Sequence, residues 1–166
     1  MRTRVRESLF AVIGERIVGS RVLDLFSGSG ALGMEAVSRG ARQALLVERD
    51  RKVITLIHKN LRALGLEAQC KVKAADAYRL FEKQPPDETY DIILLDPPFP
   101  DYALDPESTP WQLAKHLGCQ LLKEGGVLAI EHPTRSPVSS PPEGMSLMKA
   151  HRYGETTLTL WQRDFP

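Results

Sequence analysis

The sequence predicts an α/β fold built on a mainly parallel sheet that ends in an antiparallel hairpin. Three observations predict it. Short β-like runs alternate with amphipathic helical stretches along most of the chain. A glycine-rich turn follows the first of these runs, where an α/β fold places its ligand loop. Near the C-terminus two β-like runs flank a short glycine-containing connection.

Each element has its own local justification. "RVRESLFAVIGERI" (4–17) opens as a helix, with Val5, Leu9, Val12, Ile13 and Ile17 near helical spacing. "RVLDLF" (21–26), "ALLVE" (44–48), "CKVKAAD" (70–76), "DIILLD" (91–96) and "VLAIE" (127–131) are the five strands expected of the parallel part. Between them "ALGMEAVSRG", "RKVITLIHKNLRALG" and "TPWQLAKHLGCQLLKEGG" read as helices. In the last, Thr109 is placed as N-cap, Pro110 suits the first turn and Gly125 is placed to end the helix. "PTRSPVSSPPEG" (133–144), rich in Pro and Ser, reads as a mobile surface loop. "SLMKAHR" and "TTLTLWQR" around "YGE" then form the hairpin. With no internal repeat and no linker, residues 1–166 are expected to form a single domain.

Composition narrows the class of function. The 166 residues, 42% apolar, suffice for a core without disulfides or metal. Cys70 and Cys119 lie far from any CxxC or Cys/His cluster, so both are expected to be core thiols, no metal site is expected and a reducing compartment is favoured. No long apolar run or charged-then-apolar leader occurs, and a soluble, cytoplasmic monomer is expected. A net charge of +1 hides an asymmetry, with nine Lys/Arg against four Asp/Glu over residues 49–83 and three against ten over 85–143. Such a pattern permits contact with nucleic acid without requiring it, and solvated helix faces are the better explanation.

The first strand runs into "GSGALG", Gly28 to Gly33, a G-x-G-x-x-G turn, and Glu48 stands twenty residues past Gly28. That pattern alone suits a nicotinamide or flavin enzyme. Asp24, near the end of the same strand, argues for a different ligand, because a fixed carboxylate there repels a pyrophosphate. S-adenosylmethionine carries no phosphate and presents an ammonium and a sulfonium, which a carboxylate suits. Glu48 is then placed to accept the ribose hydroxyls, and Asp76 to accept from the adenine amino group. Asp76 also has the placement of an N-cap for "AYRLFEK", and Gly33 that of a helix–strand packing position.

The fourth strand ends in Asp96-Pro97-Pro98-Phe99. An exocyclic amine of a nucleobase is a poor nucleophile and must be held in line with the methyl carbon. The Asp96 carboxylate and the Pro97 carbonyl can take its two N–H groups; the prolines fix φ and remove donors, and Phe99 offers a face for a flipped base. A strand stopping at a Pro-Pro turn, with Asp96 as a cap, is the plainer alternative.

"VLDLFSGSGALGMEAVSRGA", "LLDPPF", "YGETTLTLW" and "RVRESLF" together resemble the bacterial RsmD-type methyltransferases, which modify a guanine N2 in 16S ribosomal RNA. The resemblance implies a Rossmann-like class I S-adenosylmethionine-dependent methyltransferase fold with seven strands and an antiparallel last strand. By motif, it puts the cofactor loop on Asp24, Phe26, Gly28 and Gly30, the ribose acid on Glu48, the adenine side on Asp76 and Ala77, and the catalytic tetrad on Asp96, Pro97, Pro98 and Phe99. It implies 16S rRNA or the small ribosomal subunit as partner. Family members usually carry a further N-terminal extension with a β-hairpin and an Arg-Pro-Thr element, before the helix with which this chain opens.

Of the remaining residues, Tyr102 is a candidate for the substrate mouth, His132 lies just after strand five, and Arg2, Arg4 and Arg6 are candidates for RNA contact. Trp111 and Trp161 read as packing residues. Rival functions are methylation of adenine N6 or a protein amide by the same motif, a nicotinamide-dependent oxidoreductase, and an inactive ribosome-assembly binder.

Overall fold

The structure is a computed structural model that describes residues 1–80, 88–102, 109–136 and 140–166. Helix α1 (Thr3–Ile13) leads through a short 3-10 turn to β1 (Arg21–Leu25), α2 (Ala31–Ser38), β2 (Gln43–Glu48), α3 (Arg51–Leu64) and β3 (Cys70–Ala74). Strand β4 (Tyr90–Leu95), α4 (Thr109–Gln120), β5 (Leu122–Pro133), β6 (Met145–Tyr153) and β7 (Thr156–Arg163) complete it. The seven strands form one sheet in the order β3-β2-β1-β4-β5-β7-β6. All neighbours are parallel except β5 with β7 and β7 with β6, so the expected parallel sheet with a terminal antiparallel hairpin is what the chain forms.

Strand order reverses between β1 and β4, where chain ends of a doubly wound sheet open a crevice. Both central strands are buried on both faces. Val22, Leu46, Ile92 and Leu94 pack towards α1, α2 and α3, whereas Leu23, Leu25, Ile93 and Leu95 pack towards α4 and Trp111. Period two then puts Asp24 on the α2 side of β1, with Val22.

Helix α3 shows how local sequence sets the frame. The Asp50 carboxylate accepts from the amides of Lys52 (2.8 Å) and Val53 (3.3 Å), and Gly65, at φ 67°, closes the C-terminus in the left-handed region. Ile57 and Leu61 are buried while Leu56 and Leu64 face solvent.

Several expectations need correction. The helix expected over 109–126 ends at Gln120, because Leu121 and Leu122 are fully buried and Leu122 pairs with Tyr90. Gly125, at φ 72°, lies inside β5, and a Cβ at Gly126 would stand 2.9 Å from the Asp91 carbonyl. The glycine pair therefore serves an irregularity in β5 opposite the register shift between Tyr90 and Ile92. Helix α4 is described from Thr109, which lies in the helix rather than before it, and residues 103–108 are outside the described residues. Cys70 is a core thiol, but Cys119 is exposed. The start of the 133–144 segment is tied down, since the Thr134 amide donates to the Glu155 carbonyl (2.8 Å) and Ser136 accepts from the Trp111 indole (3.3 Å), whereas residues 140, 141, 143 and 144 are exposed. Of "AYRLFEK", residues 77–80 form a turn, and 81–83 lie outside the described residues.

Candidate functional site at the strand ends

The site is built where β1, β2, β4 and β5 stop. Phe26 has φ 64°, the sole non-glycine with positive φ among the described residues, and it swings the chain out of β1 into the loop. The loop folds on itself through Ser27 Oγ to the Asp24 carbonyl (2.7 Å) and the Gly30 amide to the Ser27 carbonyl (2.8 Å). Its two early glycines have different tasks. Gly28, at φ 53°, has open space where a Cβ would go, whereas a Cβ at Gly30 would meet Met34 Cε at 2.6 Å and Leu46 Cδ2 at 2.8 Å. Gly30 sets close helix–strand packing, and Gly28 leaves backbone open to a ligand.

Asp24 is 1% exposed and lies beneath this loop, with Oδ2 accepting the Gly33 amide at 2.9 Å. Burial, and then the charge of Asp96, push its carboxyl up to about 7, against the pull of the Gly33 amide. Glu48 ties the loop to β2. Its Oε2 accepts the Gly28 amide (3.1 Å), and Oε1 accepts those of Arg49 (2.8 Å) and Asp50 (3.0 Å). A carboxylate has about four acceptor positions, so one remains for a hydroxyl.

Beside the loop opens a cleft of about 370 Å³, lined by Phe26, Glu48, Asp76, Ala77, Asp96 and Pro98 among the expected residues, and by Arg49, Asp50, Val53, Tyr78 and Asp101 besides. Asp76 Oδ1 accepts the Tyr78 amide (2.9 Å), and the Phe26 and Tyr78 rings stand 5.0 Å apart. Tyr78 donates to Asp101 (2.6 Å); burial and that carboxylate raise its phenol. Five carboxylates and one arginine line the cleft. Such a wall repels a pyrophosphate and suits a ligand carrying an ammonium and a sulfonium, so these residues fit S-adenosylmethionine.

Asp96 to Phe99 divide this cleft from a second cavity of about 730 Å³. Asp96 and Pro98 face the first, Pro97 is buried, and Phe99 (39% exposed) lines the second with Pro100, Tyr102, Pro133, Arg135 and Arg152. Asp24, Gly28, Gly30 and Pro97 thus line neither cavity, while Phe99 lines the larger one. Tyr102 is buried, with its hydroxyl donating to the Glu131 carbonyl (2.9 Å) and its ring edge-on to Trp111. His132 is buried, both ring nitrogens engaged, Nδ1 with the Pro133 carbonyl and Nε2 with Thr159 Oγ1, each at 3.0 Å. Burial lowers its pKa, and no proton task falls to it. Arg6 pairs with Glu35 (2.7 Å).

Glu131 is the residue the sequence reading missed. Ile130 pairs with Leu95, so the next residues, Glu131 within β5 and Asp96 just past β4, lie side by side. The Met1 ammonium lies 2.5 Å from Asp96 Oδ2 and 3.8 Å from Glu131 Oε2, so these carboxyls surround one N–H donor. A signal was present: "RVLDL", "ALLVE", "DIILLD" and "VLAIE" each carry an acid at or near the strand end.

The family model described as Conserved hypothetical protein 95 matches residues 1–162. Ribosomal RNA small subunit methyltransferase D of Escherichia coli (strain K12) is 34% identical over 167 residues, 97% of this chain and 77% of that protein. The protein of the same name from Haemophilus influenzae is 32% identical, over 96% of this chain and 80% of its own length. Among solved structures, a conserved hypothetical protein of Streptococcus pyogenes superposes with a TM-score of 0.82 at 29% identity, covering 96% of this chain and 95% of that one. With the motifs, the sheet order and these relatives in agreement, the chain belongs to the RsmD-type family of ribosomal RNA methyltransferases.

Proposed function

We propose that this protein transfers a methyl group from S-adenosylmethionine to the exocyclic N2 of a guanine in 16S ribosomal RNA. The observation that carries the reading is the position of Asp96-Pro97-Pro98-Phe99 as the ridge between an acid-lined cleft and a larger, open cavity. When bound, the cofactor supplies an electrophilic methyl group on a sulfonium. Glu48, with its remaining acceptor position, and Asp76 and Ala77 hold its nucleoside end, while Phe26, Gly28 and Gly30 shape the loop over it. Asp24 acts through Gly33, fixing the start of α2 and adding negative potential beneath the cleft.

On the ridge, Asp96 accepts an N–H of the target amine and turns its lone pair towards the cleft. Pro97 supplies a carbonyl for the second N–H, Pro98 keeps the ridge rigid, and Phe99 stacks the base in the larger cavity. Water takes the proton after transfer. The Escherichia coli and Haemophilus influenzae relatives are named small-subunit rRNA methyltransferases, which supports this RNA as partner.

The test follows the label. Protein incubated with methyl-labelled S-adenosylmethionine is expected to label small ribosomal subunits that lack the modification, and neither DNA nor protein. Label in DNA or protein instead would contradict the substrate, and tighter binding of NAD than of S-adenosylhomocysteine would contradict the cofactor.

A further inference from the structure

The reaction as described leaves one buried group without a task. Glu131 is 3% exposed, and its Oε2 is shut off from solvent with no hydrogen-bond partner. A buried acceptor left in this state is costly unless a donor arrives. Its backbone is held, since the Tyr102 hydroxyl donates to its carbonyl at 2.9 Å, and its carboxyl sits beside that of Asp96. Burial first, and the Asp96 charge next, push it up to about 7. Ile130 pairs with Leu95, so a donor at Asp96 stands beside Glu131 as well; the Met1 ammonium, 2.5 Å from Asp96 Oδ2 and 3.8 Å from Glu131 Oε2, holds that place here and gives way to the base.

The edge of guanine presents adjacent donors, the ring N1–H and the exocyclic amine, whereas adenine and 2,6-diaminopurine present a lone pair at N1. We propose that Glu131 is a specificity-determining residue whose free oxygen accepts the N1–H of the guanine whose amine Asp96 grips. This rests on the guanine-N2 reading above. Once Glu131 is ionised, a purine with a lone pair at N1 sets acceptor against acceptor in a buried place, and the site disfavours it. Asp96 thus selects an amine, and Glu131 selects the ring beside it.

The experiment uses small subunits reconstituted with 16S RNA carrying either guanine or 2,6-diaminopurine at the modified position. Diaminopurine keeps the 2-amine and loses the N1–H. Assayed well above pH 7, where Glu131 is ionised, wild-type protein is expected to methylate guanine roughly tenfold or more faster. Glu131→Gln, whose amide offers both an acceptor and a donor, is expected to shrink that preference severalfold. The ratio is read within each protein, so a loss of active protein does not move it. Equal wild-type rates on the two bases overturn the proposal without recourse to any variant. An unchanged ratio in Glu131→Gln, with both rates lowered together, overturns it too and gives Glu131 a purely structural part. No transfer to guanine by the wild type removes the reading of the function itself, a result distinct from either.

Discussion

At the scale of single residues, the site divides into groups that touch ligands and groups that hold those groups in place. The proposed function puts Asp96, which faces the cleft from the end of β4, in the first kind. Asp96→Ala is expected to lower methyl transfer by about a hundredfold or more, in the range of a lost orienting or charge-stabilising contact, while S-adenosylhomocysteine binding measured by calorimetry changes little. The same proposal puts Glu48 in both. Because three backbone amides converge on its carboxylate, Glu48→Ala is expected to weaken cofactor binding by about tenfold or more and to loosen the loop as well. Glu48→Gln, which keeps an acceptor but brings a donor towards the same amides, should fall between, and a titration of all three proteins reads the order. Asp24 shows what residue-level reading of a sequence misses. The sequence identifies an acid near a strand end, but only the pleat decides which face it takes. Here it takes the α2 face and braces the Gly33 amide.

At the scale of elements, the loop after β1 separates two uses of glycine that look alike in "GSGALG". Gly30→Ala combines a positive φ of 82° with clashes against Met34 and Leu46, and is expected to destabilise by about 2–4 kcal/mol. Gly28→Ala meets open space and is expected to cost only about 1 kcal/mol of backbone strain, with a larger effect on cofactor affinity. Thermal unfolding of the two variants gives the order. The parallel strands and α3 were legible because their signals are local: apolar runs, the Asp50 cap and Gly65. The end of α4 was not. "LGCQLLKEGG" keeps a helical rhythm and closes on glycine, yet the burial of Leu121 and Leu122 against the sheet is a tertiary fact that outweighs it. The fourth acid, Glu131, was equally visible in "VLAIE", but its meaning depends on lying beside Asp96, and strand adjacency is not written in local sequence.

At the scale of the molecule, the sheet concentrates negative charge towards the C-terminal ends of its parallel strands, and this has a consequence for stability. Asp24 is shifted from 3.8 to about 7 and Glu131 from 4.5 to about 7, both chiefly by burial. Between about pH 4 and pH 7 the folded chain therefore holds protons that the unfolded chain has released. Stability from these two groups falls as pH rises through that window. Urea unfolding is expected to show a decline from pH 5 to pH 8 that Asp24→Asn flattens, because the asparagine can still accept the Gly33 amide without a buried charge. A steeper decline in the variant would show that the charge of Asp24 is compensated in place. The same concentration of charge suits a cationic cofactor, while Arg135 and Arg152 at the larger cavity offer the opposite sign to an RNA backbone.

The central claim is that the ridge between the two cavities presents a guanine amine to a methyl donor. Its most direct measurement is nucleoside analysis of 16S RNA after small subunits lacking the modification have been incubated with S-adenosylmethionine and either wild-type protein or Asp96→Ala. The account predicts N2-methylguanosine with wild type and almost none with the variant. N6-methyladenosine in its place, or equal N2-methylguanosine from both proteins, would contradict it.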